Sequence, residues 1–158
     1  MSQPGPCRIR SACHLFQTGT TALAPLVDLA LRLWIAQIFW RAGLVKIQSM
    51  YATVGMFTYI YHVPLLSPTV AAWLGTGVEL VFPVLLAAGL LSRFTALVLF
   101  LYNIVSVISY PAMGTDNMLQ QAGWGLMMLV TMTHGPGTLS LDWVVAKLRR
   151  RRSGSPLA

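Results

Sequence analysis

The chain has 158 residues, of which 56% are hydrophobic and only 9% charged, with a net charge of +7. Soluble domains carry about 25% charged residues, so at a mean hydropathy of +0.66 too little polar surface exists to coat a globule in water. Composition excludes an ordinary soluble all-α core and points to a single-domain integral membrane protein with the lipid bilayer as its main solvent.

The basic residues flank apolar runs. Arg8 and Arg10 precede the first, and Lys147 and Arg149 to Arg152 follow the last. No basic groove with interleaved aromatics is present, so nucleic acid is not an expected partner. The positions suit topology signals and contacts with anionic lipid.

Residues 1–22, with Pro4, Gly5 and Pro6, read as a flexible cytoplasmic tail, without the clean cleavage site of a signal peptide. Cys7 and Cys13 within it form neither a CxxC redox pair nor a four-ligand zinc pattern. The first apolar segment runs from Leu23 to Ile47, opening at Pro25, a tolerated first-turn residue. From Gln48 to Thr69 the chain carries Tyr51, Phe57, Tyr59, Tyr61 and His62. Aromatics at that density predict a partly helical piece lying at the membrane interface. The second apolar segment is Val70 to Leu91, entered through Pro64 and Pro68, and a short Ser92-Arg93 link makes it an antiparallel neighbour of the third, Phe94 to Met113. The fourth runs from Asn117 to Thr133 and ends at Gly135-Pro136-Gly137. In Leu139 to Leu148, Ser140 can cap a short amphipathic helix resting on headgroups, pinned by the arginine run.

The expected fold is therefore all-α. It is an integral membrane four-helix bundle over residues 23–145, with an interfacial segment after helix 1, a short C-terminal amphipathic helix and a basic cytoplasmic tail over 146–158. With both termini in the cytoplasm, Arg93 joins the terminal basic residues inside and only Lys46 falls in an outer connection. This satisfies the positive-inside rule and predicts a multi-pass protein of the bacterial inner membrane.

Glu79 is the sole charge in the run from Val70 to Leu91. Nine residues in, it lies about 14 Å below the outer surface, where a charge costs about 2.5–3.5 kcal/mol even on the mildest scales. It needs a partner. Arg32 is assigned inward, bridging Glu79 and Asp28, which lies one turn earlier; Phe39, Gly43 and Lys46 continue that face. Arg41 is about 180° around the helix and becomes the partner if the helix rolls. Pro83 frees the carbonyl of Glu79, and Asn103, Ser106 and Tyr110 with Gln121, Trp124 and Thr131 supply polar groups opposite. Such a set either locks helix register or forms a functional site.

Several stretches resemble the DoxX family. They are Arg32 followed by Ile38-Phe39, Ala42-Gly43 and Lys46, then VPLLSP at 63–68 and AAWLGTGVELVFPVLLAAGLLSR at 71–93. NIVSVISYP at 103–111 and GPGTLSLD at 135–142 extend the match over about residues 25–145. The resemblance implies a four-helix membrane bundle and a link to oxidoreduction, through members named as subunits of thiosulfate:quinone oxidoreductase. It carries over Arg32, Gly43, Lys46, Glu79 and Pro83. The chain itself has no CxxC, no paired-histidine haem pattern and no dinucleotide fingerprint, so electrons would come from a partner protein carrying the redox centre.

The leading expectation is a quinone-associated or redox-stress accessory subunit, with its status as an enzyme open. Arg32, Lys46, Glu79, Asn103 and Trp124 would hold the quinone, Glu79 relaying a proton and Arg32 stabilising a reduced oxygen; these two are the catalytic candidates. One alternative is a non-catalytic structural or assembly partner of an envelope stress system. Another is copper handling by Met50, Met56, His62, Met113 and Met118 on the outer side, whose thioethers and imidazole suit Cu(I), although methionines also serve as ordinary gap-fillers. A homodimer is compatible with all of these.

Overall fold

The computed structural model describes residues 7–135, 137 and 140–153. Among them are six helices and no strand: α1 Cys7–Gln48, α2 Met50–Tyr59, α3 Pro68–Ala88, α4 Ser92–Ile108, α5 Thr115–His134 and α6 Leu141–Ser153. Helices α1, α3, α4 and α5 touch in cyclic order, α1 on α3, α3 on α4, α4 on α5 and α5 on α1, while α2 packs on α3 and α1. Ile35, Phe39, Leu86, Ala96, Leu99 and Met128 fill the centre.

Most boundaries follow local chemistry. Pro68 occupies the first turn of α3, where its missing N–H costs nothing. Gly89, at φ 69°, ends that helix in the left-handed conformation, and Leu90 N–H reaches back to the Leu85 carbonyl. Ser49 caps α2, its Oγ accepting from Ala52 N–H at 3.4 Å. Ser140 caps α6, accepting from Trp143 N–H at 3.1 Å, as the sequence predicts. The cap of α4 comes from far along the chain: Asp142 accepts from Leu91 N–H (2.9 Å) and Ser92 N–H (3.0 Å), and its own N–H donates to the Gly89 carbonyl. One carboxylate thus joins α3, α4 and α6 at one end.

Two expectations about the ends need correction. The flexible tail expected over 1–22 is helical from Cys7 onward, with residues 1–6 outside the described residues. Pro25 accordingly lies inside α1 rather than at its start. The basic tail expected over 146–158 is α6 as far as Ser153, with 154–158 outside the described residues. Of the segment expected to open α6, Leu139 also lies outside them, as does Pro136 of the preceding turn.

The burial pattern departs from that of a water-soluble protein at the surface and in its buried polar groups. Arg32, Thr76, Glu79, Thr95 and Asn103 are buried, whereas Trp34, Val45, Trp73, Leu74, Val81, Leu101 and Leu126 are exposed. Large apolar side chains facing outward, around an apolar core that also holds charged and polar groups, are what lipid selects. Two described segments, Leu23–Gln48 of α1 and the whole of α3, are long and apolar enough to cross a bilayer; α4 is apolar over 17 residues.

Candidate functional site

A buried centre forms where α1, α3 and α4 meet. Lys46 Nζ lies 2.5 Å from Glu79 Oε1, Tyr102 donates to the same oxygen at 2.7 Å, and Lys46 Nζ reaches the Tyr102 hydroxyl at 3.2 Å. The Glu79 side chain is 5% exposed and that of Lys46 17%. At such burial a charge persists only when paired and hydrogen-bonded. Glu79 Oε2 is nevertheless buried and has no hydrogen-bond partner among the described residues.

The helices can approach because Gly43 faces Glu79. A Cβ on Gly43 would lie 3.0 Å from Glu79 Cβ and 2.9 Å from Leu80 Cδ2. That contact also fixes relative depth. Lys46 follows Gly43 by three residues, whereas Arg32 precedes it by eleven, about 16 Å along the helix. The partner expected for Glu79, Arg32 or with a rolled helix Arg41, is therefore wrong: Lys46 takes that place.

Arg32 is buried near the opposite end. Its Nε donates to the Asp28 carbonyl at 3.4 Å, its guanidinium packs against Gly89, and Asp28 and Asp142 are the acidic groups acting on its charge. Arg41 is exposed. The predicted face of α1 itself is correct, since Arg32, Phe39 and Gly43 are buried and Lys46 half-buried.

The remaining predicted residues divide. Asn103 turns to α5, where its Nδ2 donates to the Gln121 carbonyl at 2.9 Å. Trp124 meets Phe39 edge-on with centroids 6.1 Å apart, and Phe39 meets Tyr102 likewise at 6.3 Å. Trp124 therefore braces the centre through Phe39. Met50 packs on the small cluster of Phe57, Ala71 and Ala72, Met118 lines a groove between α4 and α5, Met113 is half-buried, and Met56 and His62 are exposed. Among the described residues there is no group of three or more His, Cys, Asp or Glu that could hold a metal ion.

Lys46 and Tyr102 border a cavity of about 130 Å³, walled by Phe57, Tyr61, Leu74, Gly75, Val78 and Val105, with Ser106 and Ser109 farther along α4. Cavities of about 150 Å³ hold one benzene ring. The Lys46 ammonium lies 6.0 and 5.9 Å from the Phe57 and Tyr102 ring centroids, within cation–π reach. Tyr61 stacks between Phe57 (5.2 Å) and Tyr110 (5.3 Å). Burial, reinforced by Tyr110 and Glu79, pushes its hydroxyl above the ordinary tyrosine value, so it stays neutral at physiological pH. His62 N–H donates to the Ser109 carbonyl at 2.8 Å, tying this aromatic roof to the end of α4.

Fold and site together define an all-helical membrane protein with a lysine–glutamate–tyrosine centre beneath an aromatic roof. The chain belongs to the DoxX family, whose profile matches residues 27–111. The match takes in α2, α3, α4 and about half of α1, and every residue of the centre. No curated protein and no solved structure matches the chain.

Proposed function

We propose that this chain is a four-span protein of the bacterial inner membrane with both termini in the cytoplasm. It binds a quinone-type ring against Lys46 and Tyr102 and serves as an accessory subunit to a partner carrying the redox centre. The observation that carries this reading is the cavity itself. It is sized for one ring, walled by apolar and aromatic side chains, and polar at one end where an ammonium and a phenol hydroxyl converge. The α6 end, with Arg93 and Lys147, faces the cytoplasm under the positive-inside rule, so the cavity lies toward the outer leaflet.

Each group has a role that its surroundings support. Lys46 donates a hydrogen bond to a ring oxygen and holds the negative charge that grows there when electrons arrive from the partner. Tyr102 gives its single hydroxyl proton to Glu79, so toward the ring its oxygen acts as an acceptor, taking a hydrogen bond from the hydroxyl of the reduced ring. Glu79 orients both, and its free Oε2 gives protons a place to move. Reduction of the ring consumes two electrons from the partner and two protons, so proton supply through this centre belongs to the same step.

Tyr102→Phe keeps the ring and removes the hydroxyl. Binding of a short-tailed hydroquinone, the reduced form of the ring, to the purified protein, followed by calorimetry, is expected to weaken about tenfold, as for loss of one buried hydrogen bond. Unchanged affinity would sink the reading and leave the centre as a helix lock.

A further inference from the structure

Ser109 stands out among the residues bordering the cavity. It is 1% exposed, and its backbone is fully engaged: its N–H donates to the Val105 carbonyl at 2.9 Å and its carbonyl accepts from His62 N–H at 2.8 Å. Its hydroxyl is buried and has no hydrogen-bond partner among the described residues. Serines near helix ends usually spend that hydroxyl on a nearby backbone group, and a buried polar group left without a partner needs an explanation. Ser109 borders the cavity, and rotation about its Cα–Cβ bond would carry the closed-off hydroxyl to a ligand there.

Position gives that hydroxyl a meaning. Ser109, which closes α4, follows Tyr102 by seven residues, about 10 Å of helix rise. Lys46 and Tyr102 hold one end of the cavity, and Ser109 stands nearly two turns farther out. The walls between them, Leu74, Val78 and Val105, are apolar. We infer that Ser109 is a second anchor, binding the far polar atom of a ring whose near oxygen is held by Lys46 and Tyr102. It makes the site select rings with oxygens at opposite positions over rings with one oxygen. The inference rests on the reading of the cavity as a ring site, and adds a specificity-determining residue to it.

Hydroquinone and phenol have the same ring and differ by the far oxygen, so they test the point on the full-length protein in detergent. The native protein is expected to bind hydroquinone about five- to tenfold more tightly than phenol, the scale of one net hydrogen bond. Ser109→Ala is expected to erase that difference while leaving phenol affinity and the melting temperature unchanged, since the hydroxyl serves no protein group. Tyr102→Phe is expected to weaken both probes alike. Should the alanine variant fail to fold, Ser109→Cys keeps the volume, donates only weakly, and carries the same expectation. A preference for hydroquinone that survives Ser109→Ala overturns the second anchor and leaves the ring site standing. Failure of the native protein to bind either probe overturns both.

Discussion

Arg32 and Lys46 lie fourteen residues apart on one face of α1, both in an apolar interior, yet they are surrounded in opposite ways. Around Arg32 space is closed. Gly89 packs against the guanidinium, Ser140 crowds the same glycine, and Asp142 ties the start of α4 and the end of α3 to α6. Around Lys46 space is open, because the ammonium borders a cavity and its partner Glu79 keeps one carboxylate oxygen unengaged. A charge packed on all sides locks helices together. A charge left beside room, with hydrogen-bonding capacity to spare, is poised for a ligand. The burial of an ion pair does not by itself separate these roles, since such pairs often contribute little net stability; the space around them does.

The strongest way to break the comparison is to remove one partner at the open end. Glu79→Gln leaves the Lys46 ammonium buried without its carboxylate and is expected to cost about 3–5 kcal/mol, read as a lower melting temperature in detergent. The double variant Lys46→Met with Glu79→Leu removes both charges and is expected to return most of that stability while abolishing ring binding. That split would show the pair to be retained for binding. A single variant that melts like the native protein would mean that Lys46 finds water through the cavity, and the need for a buried partner argued above would be wrong.

The closed end should answer to volume. Gly89 needs φ 69°, and a Cβ there would lie 2.7 Å from Ser140 Cβ as well as against the Arg32 guanidinium. Gly89→Val combines left-handed strain with overpacking and is expected to cost about 2–4 kcal/mol. Trypsin cleavage in α6 should accelerate as its anchor loosens, while the affinity of surviving folded protein for a benzoquinone stays unchanged. A fall in that affinity would mean that the two ends are coupled.

How much of this could be read from the residues differs between the two ends. The helices from α3 onward were legible because Pro68, Gly135 and Ser140 carry boundary chemistry locally, although α3 stops at Gly89 rather than Leu91 and α4 ends at Ile108 rather than Met113. The face of α1 was legible from its period. The pairing on that face was not, for a reason of direction. Side chains on a helix lean toward its N-terminus, so a lysine near the end of α1 points back into the interior, though its position suggests a residue reaching out to headgroups. Counting depth from helix ends therefore favoured Arg32. Tyr102 was hidden beside Asn103 for a related reason: neighbours on a helix face different partners, and nothing local says that the tyrosine looks to α3 while the asparagine looks to α5. The cap of α4 by Asp142, fifty residues away, had no local signal at all.

The smallest expected effect probes the cavity wall alone. Gly75 is buried in α3, and a Cβ there would lie 3.2 Å from the Tyr102 hydroxyl and 3.5 Å from Phe57. Alanine in a helix interior is worth about 0.5–1 kcal/mol over glycine, and the tight contact takes part of that back, so Gly75→Ala should shift stability by less than about 1 kcal/mol. The added methyl nevertheless enters the space between Tyr102 and Phe57 that a ring would use. Benzoquinone affinity is expected to fall while the melting temperature holds or rises slightly, the reverse of the pattern at Gly89. If instead Gly75→Ala lowers the melting temperature and leaves affinity untouched, the glycine is there for helix contact, and the open end loses the feature that separates it from the closed one.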